Sequence, residues 1–332
     1  MSELLKSIKC GVNELKFIQN FDDLKLCIDH KLPFLLSRLV YRFKKRRIYP
    51  LSLQIEPTNA CNLDCICCGR SRMSRSIGFM NINLFKKIID NAANIGTKNI
   101  FLYLHGEPLL HPNIVDMIRY IKDSNLCFTI STNGMKLNQN ISKYILESKV
   151  SCADYIRLSI LGYSESIHEK IMKGVNSAQV KKNAQYFIKL RNQMQLNGPI
   201  IQAMFYRINE NYCDEKYFSK YWSHVVDSLL LIRTISNHFS NISSNRQNYN
   251  RRLNDIFSMR YKTCKYIWDR MTIFWNGDVT SCMADVNGDH VFANMEKSYI
   301  QEVWNNPQLQ RIRNAHLSKK FSHVPLCAAC DW

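Results

Sequence analysis

Cys61, Cys65 and Cys68 stand in the stretch CNLDCICC with the spacing C-x3-C-x2-C, directly behind a strand-like run. Three thiolates this close cannot by themselves complete a four-thiolate tetrahedral site. They can hold three irons of a [4Fe–4S] cluster and leave the fourth iron open, and an open iron is a place where a bound molecule is activated. Four more cysteines, Cys264, Cys282, Cys327 and Cys330, lie in the last quarter of the sequence, Cys282 in the context G-x4-C (GDVTSC) and Cys327 and Cys330 in C-x2-C (CAAC). Four thiolates suit one closed four-iron cluster, and a C-x2-C pair is equally a half-site for structural zinc. Cys10, Cys27, Cys67, Cys127, Cys152 and Cys213 belong to neither set; taken singly, a cysteine is most often a small packed hydrophobe.

Both cysteine sets need a scaffold. From residue 51 the apolar pattern alternates short strand-like runs with amphipathic ones, the signature of parallel strands joined by crossover helices. Strands are predicted at residues 51–57, 99–104, 127–132, 155–160, 200–206 and 229–235. Between them Ile82, Phe85, Ile89, Ala92 and Ile95 share one helical face, as do Val180, Ala184, Phe187, Leu190 and Met194. Six units predict an α/β fold with a partial (β/α)6 TIM-like barrel, whose chemistry would collect at the C-terminal ends of the strands. Residues 1–50 read as a helical extension and 51–235 as the barrel. Residues 236–256, rich in Ser, Asn and Arg, read as a linker, and 257–332 as a small α+β domain that binds a cluster. In that last part the sequence predicts a hairpin with a tight primed turn at Asn276-Gly277, then two helices broken by Pro307.

Composition narrows the function classes. Of 332 residues 46% are apolar, enough for a sizeable core, and thirteen are cysteine. The first twenty residues mix Glu, Lys and Asn into any apolar run, and residues 32–41 fall short of the ~20 needed to span a bilayer. A cytoplasmic setting is expected, in which cysteines bind metal or catalyse more readily than they build a disulfide framework. The formal net charge of +18 calls for an acidic partner. Either nucleic acid or an acidic electron-transfer protein would answer it. No recognised nucleic-acid motif accompanies the charge, so a non-enzymatic, basic iron–sulfur or zinc protein that binds nucleic acid is the weaker reading.

The cysteine triad, together with His105-Gly106-Glu107-Pro108 after the second strand, Ser131-Thr132-Asn133-Gly134 after the third and Ser159 after the fourth, resembles the radical S-adenosylmethionine (SAM) superfamily. The resemblance implies that Cys61, Cys65 and Cys68 hold a [4Fe–4S] cluster. Gly106 and Glu107 would meet the methionyl amino group of SAM, and Asn133 and Ser159 its ribose side. It implies reductive cleavage of SAM to a 5′-deoxyadenosyl radical that abstracts hydrogen from an inert C–H bond, with the electron supplied by a flavodoxin- or ferredoxin-like donor. Three positions depart from the family pattern: Cys67 replaces an aromatic residue, His105 replaces a glycine, and Leu161 stands where Asp is common. The tail resembles the SPASM auxiliary-cluster domain in its shortened, twitch-like form, which implies one further [4Fe–4S] cluster on Cys264, Cys282, Cys327 and Cys330. Related short forms act on sugars and aminocyclitols as dehydrogenases or epimerases, while longer relatives mature peptides by epimerisation, thioether formation or crosslinking. The superfamily's epimerases return hydrogen from a thiol, which makes Cys213 a candidate donor, and His238 a candidate substrate contact.

Overall fold

The computed structural model describes residues 48–232, 264, 266–318, 320–328 and 330. The readings for residues 1–47, for His238 and for the whole 236–256 linker lie outside them.

Six strands run parallel and neighbour one another in chain order: β1 (Ser52–Ile55), β3 (Asn99–Leu102), β4 (Cys127–Thr132), β5 (Tyr155–Ser159), β7 (Ile200–Tyr206) and β8 (Ser228–Ile232). The two remaining labels belong to a short antiparallel ladder between β2 (Asp64–Cys65) and β6 (Met172–Lys173). The crossover helices are α1 (Ile82–Ile95), α2 (Ile114–Asp123), α3 (Gln139–Leu146), α4 (Glu165–Ile171), α5 (Ser177–Gln193) and α6 (Glu215–Trp222). The predicted α/β partial barrel is the fold observed, and the amphipathic runs read at residues 82–95 and 180–194 form α1 and α5.

Helix boundaries follow from capping. The Asn81 side chain accepts from the backbone of Asn83 and Leu84, Asn138 from Ile141, and Asn176 from Gln179. Each such cap is worth about 1 kcal/mol because it satisfies an otherwise orphaned N–H. At its other end α1 stops at Gly96, whose φ of +86° is the left-handed conformation that glycine adopts without penalty.

Period-two alternation then sorts the strands into two faces. Leu53, Ile55, Ile100, Leu102, Phe128, Ile130, Ile156, Leu158, Ile201 and Phe205 point outward into a closed core with Phe85, Ile88, Met117, Ile118, Phe187 and Phe218 of the helices, all at 1% exposure or less. The inward face mixes Phe101, Met204, Leu230 and Ile232 with a majority of polar groups: Gln54 and Glu56 on or just past β1, Tyr103 after β3, Thr129 and Ser131 on β4, Arg157 and Ser159 on β5, Gln202 on β7. An apolar lumen would fill itself with side chains. This one leaves hydrogen-bonding groups pointing inward.

The sheet does not end at β1. β9 (Arg270–Ile273) pairs parallel with it in the register Ser52↔Arg270 to Ile55↔Ile273. β10 (Asp278–Thr280) and β11 (Val291–Asn294) follow antiparallel, giving nine strands. The hairpin turn corrects one expectation. Phe274 and Asp278 form the closing pair, Gly277 N–H donates to Phe274 C=O at 2.9 Å, and Gly277 has φ +84°. This is a three-residue loop with glycine at its left-handed position, and not a two-residue primed turn. The two helices expected on either side of Pro307 are present as α8 (Ile300–Trp304) and α9 (Pro307–Leu317), with Pro307 itself opening the second at its first turn, behind the Asn306 cap.

Candidate active site

The first cysteine loop leaves β1 and is held at four points. Thr58 Oγ1 donates to Gly78 C=O and accepts from Ala60 N–H. Asn59 Oδ1 accepts from Gly78 N–H while its amide donates to Ser76 C=O. The β2–β6 ladder and Ile66 N–H to Ile171 C=O (2.9 Å) fasten the middle of the loop. Glu107 N–H donates to Ala60 C=O at 2.8 Å, which lays the His105–Pro108 segment on the 58–60 turn. A Cβ on Gly106 would meet Thr58 O at 2.2 Å and Ala60 O at 2.7 Å, both backbone atoms. Glycine here is a packing necessity.

On this frame Cys61, Cys65 and Cys68 are all half-buried. Their thiol pKa values are raised, in each case first by burial; Cys65 then feels Cys67, Cys68 and Cys61, Cys61 feels Glu107 and Cys68, and Cys68 feels Asp64. Mutually destabilised thiolates that are also desolvated are poor free anions and good metal ligands. Arg70 works in the opposite sense. Its backbone N–H reaches Cys68 Sγ at 3.5 Å, and its charge lowers the pKa of both Cys61 and Cys68.

Around the loop the strand ends supply polar groups. Glu107 is 2% exposed, and burial pushes its carboxyl up to about 7 even though it accepts from Asn133 N–H (2.7 Å), Leu109 N–H (3.0 Å) and Thr132 Oγ1 (2.7 Å). Asn133 also reaches back, donating to Asn62 Oδ1 at 3.0 Å inside the cysteine loop. Ser159 stands 3.5 Å from Ser131, hydroxyl to hydroxyl. Thus Gly106, Glu107 and Asn133 gather against the triad's loop, and Ser159 lies on the adjacent strand end. Thr132 was read only as part of the Ser131–Gly134 segment; its hydrogen bond to Glu107 appears with the fold.

The second cysteine set is assembled from three segments. Cys264 precedes α7 (Tyr266–Asp269), Cys282 follows β10, and Cys327 and Cys330 lie in and after the short α10 (Pro325–Ala328). Burial pushes Cys264 up to about 11 and Cys327 up to about 12, and drives Cys282 higher still. Cys282 also feels Cys264, Cys327 and Cys330, so the four thiols share one neighbourhood. His316, unremarked in the sequence, joins them: its Nδ1 accepts from Cys264 N–H and its Nε2 lies 3.3 Å from Cys327 Sγ. Among the described residues no three His, Cys, Asp or Glu side chains converge on a single metal position. A cubane does not ask for that, because each thiolate ligates a different iron.

Between the two sets lie Tyr103, Tyr206, Tyr266, Arg157 and Arg270. Tyr206 feels Cys67 of the first loop, and Tyr266 feels Cys264 and Cys282; burial is the chief cause of the raised pKa of both phenols. Cys67 itself is half-buried, pushed up to about 12 by burial, and sits beside Cys68 and Glu210. Cys213 is placed elsewhere: it is exposed, in a turn after β7, lining an open cavity of about 360 Å³ with Arg207, Tyr212 and Lys216.

A parallel partial barrel with a three-cysteine loop behind its first strand defines a class of enzyme, and family models agree. Residues 55–201 match the radical SAM superfamily, and residues 264–331 match the SPASM iron–sulfur cluster-binding domain, together well over half of the chain. The chain belongs to the radical SAM superfamily and carries a C-terminal SPASM domain. It is a radical SAM enzyme, which sets aside the non-enzymatic nucleic-acid reading. A curated relative, the tungsten-containing aldehyde ferredoxin oxidoreductase cofactor-modifying protein of Pyrococcus furiosus, is 30% identical over 54% of this chain and 50% of its own length. The chain thus spans about half of that relative. Two solved structures share the fold. BtrN in complex with AdoMet and 2-DOIA is 16% identical, with a TM-score of 0.57 over 85% of this chain and 93% of its own. Streptococcus suis SuiB bound to its precursor peptide SuiA is 17% identical, with a TM-score of 0.63 over 89% and 72%. No helix among the described residues is long and apolar enough to cross a membrane.

Proposed function

We propose that this chain is a radical SAM oxidoreductase acting on a small polar molecule of carbohydrate or aminocyclitol type, by dehydrogenation or epimerisation. The observation that carries this reading is the polar lumen: tyrosine, arginine, glutamine and serine side chains face a space bracketed by two cysteine sets. Such a lining suits a hydroxylated molecule and would be costly to leave dry. The near-complete cover of BtrN, a protein solved with a small molecule, agrees with it.

The residues fit the groups the family implies. Cys61, Cys65 and Cys68 would hold a [4Fe–4S] cluster, since they are close enough to raise one another's pKa, with Arg70 offsetting the negative charge. Glu107, Asn133 and Ser159 would line the SAM side, Glu107 offering an acidic group that a cationic ammonium would ionise. Cys264, Cys282, Cys327 and Cys330 would hold one auxiliary [4Fe–4S] cluster. When bound, these groups supply a low-potential electron and, from SAM, a 5′-deoxyadenosyl radical able to remove hydrogen from an unactivated C–H bond. The protein's own part is to fix the substrate's orientation from the lumen and to exclude water and stray thiols. The +18 charge suits an acidic flavodoxin- or ferredoxin-like electron donor. Cys213 remains a candidate hydrogen donor only if the loop after β7 turns it inward.

Peptide maturation is the second reading, favoured by the higher TM-score to SuiB, a protein solved with its precursor peptide. The test is anaerobic reduction of the reconstituted protein with SAM, alone and with panels of aminocyclitols, sugars and precursor peptides. Release of 5′-deoxyadenosine stimulated by the small molecules supports the first reading. Stimulation by peptides alone replaces it with the second, and no release from protein with an intact first cluster removes both.

A further inference from the structure

Three partly buried arginines elsewhere in the fold meet carboxylates. Arg75 pairs with Glu56, Arg191 with Asp227, and Arg207 with Glu215. Two inward-facing arginines do not. Arg157 on β5 donates from Nε to Gln202 Oε1 (3.0 Å) and from Nη1 to Tyr103 Oη (3.2 Å). Arg270, the first residue of β9, donates from Nη1 to Gln54 Oε1 at 2.8 Å. Its guanidinium stacks 4.0 Å over Phe101 and lies 5.1 Å from the ring centre of Tyr266. All these partners are neutral. The Nη2 groups of both arginines and Nε of Arg270 make no hydrogen bond among the described residues, and that Nε is buried.

The two are linked through one patch. Tyr103 receives the Arg157 hydrogen bond, packs edge-on against Phe101 at 6.0 Å, and accepts through its backbone oxygen from Gln54, the partner of Arg270. Of the nearby carboxylates Glu56 belongs to Arg75, and among the described residues no carboxylate forms an ion pair with Arg157 or Arg270. Guanidinium groups stay protonated in any protein setting. Two like charges, half-buried among neutral hydrogen-bond acceptors and aromatic faces with donors to spare, form a site for an oxyanion.

We propose that Arg157 and Arg270 form an oxyanion subsite in the barrel lumen that holds a carboxylate or phosphate group of the substrate. This rests on the reading of the lumen as the substrate site, and it narrows the carbohydrate- or aminocyclitol-type substrate to one that bears an anionic group. Gln54, Gln202 and Tyr103 orient the two forks, and Phe101 supports one of them.

The test uses the reconstituted holoenzyme under anaerobic conditions, with sulfate as probe against chloride at equal ionic strength. Wild type should show a saturable rise of its unfolding midpoint with sulfate, and Arg157→Gln and Arg270→Gln should each bind sulfate at least tenfold more weakly. In sulfate-free buffer both variants should melt at or above the wild-type midpoint, because an unneutralised charge has been removed. No sulfate effect on wild type, an effect kept in both variants, or variants that melt well below wild type would each overturn the subsite. If a variant does not fold, wild type alone decides. Sulfate should slow phenylglyoxal modification of Arg157 and Arg270, read by peptide mass spectrometry, and equal rates overturn the proposal. Glucose 1-phosphate and gluconate, competed against sulfate, separate a phosphate-bearing from a carboxylate-bearing substrate, and failure of both to compete also overturns it. Measuring 5′-deoxyadenosine on the same wild-type sample keeps the two readings apart. An intact sulfate response without SAM cleavage breaks the enzymatic reading alone, and cleavage without a sulfate response breaks the subsite alone.

Discussion

The two cysteine sets solve the same problem, gathering thiols that repel one another when ionised, in opposite ways. Cys61, Cys65 and Cys68 lie within eight residues on a loop fastened by backbone hydrogen bonds and by the packing of Gly106 on the 58–60 turn. Cys264, Cys282, Cys327 and Cys330 come from three separate segments, brought together by the β9–β10 hairpin and the helices behind it. A local loop can be shaped before any metal arrives. A site drawn from distant segments gains more from the metal, because the bound cluster itself closes the chain between them.

The sharpest break in that comparison is chemical. Cys65→Ala should abolish 5′-deoxyadenosine release while leaving the tail's iron in place, as measured by chromatography of the anaerobic reaction and by iron analysis. The double variant Cys327→Ala/Cys330→Ala should lose about half of roughly eight irons, and its C-terminal residues should become more readily cleaved by protease; unchanged iron would make the tail a zinc or bare-thiol site. Next in size is the ion pair that ties the segment after the first loop to the hairpin. Arg75 binds Glu56 through two bonds of 2.8 Å, donates to Val286 C=O and stacks on Phe274. Arg75→Met leaves the fully buried Glu56 carboxylate without its partner and should cost about 3–5 kcal/mol in urea unfolding.

A pH experiment probes the first site alone. Burial raises the Glu107 carboxyl from 4.5 to about 7, so between those values the folded, metal-free protein holds a proton that the unfolded chain has released. Stability therefore falls as pH rises through that window, by up to about 3 kcal/mol, and stays low above it. Glu107→Gln should remove this slope, so that wild type minus variant stability declines from pH 4.5 to pH 7; a flat difference would mean that Glu107 is already ionised. The smallest effect belongs to the hairpin. Gly277→Ala forces a side chain to φ +84° and places Cβ 3.2 Å from Leu84 and Asn294, at a cost of about 1 kcal/mol in thermal unfolding.

The same contrast explains what could be read from residues alone. The first loop was legible because its ligands are close in sequence and each neighbouring polar group sits where a strand ends. The tail's thiols were visible as a set, but His316 was not, since only folding brings it to Cys327. The turn at Asn276-Gly277 was located correctly and typed wrongly, because the dipeptide fits both a two-residue loop and the last two positions of a three-residue one. Pro307 was legible as the boundary between two helices because its missing N–H is costly inside a helix and costless at the first position. Arg157 and Arg270 drew no notice at all. A lone arginine in a strand says nothing until the register reveals which way it points and that no carboxylate meets it.

The pairing of β9 with β1 has a bearing on how this chain emerges from a ribosome. The first barrel strand receives one neighbour when residues 99–102 are made, but its other edge waits for residues 270–273, which are made much later. Until then β1 presents an uncapped row of backbone donors and acceptors right beside the cysteine loop, the kind of edge that recruits strands from other chains. A nascent or truncated product ending before residue 270 should be markedly more prone to aggregate than one that ends after residue 280.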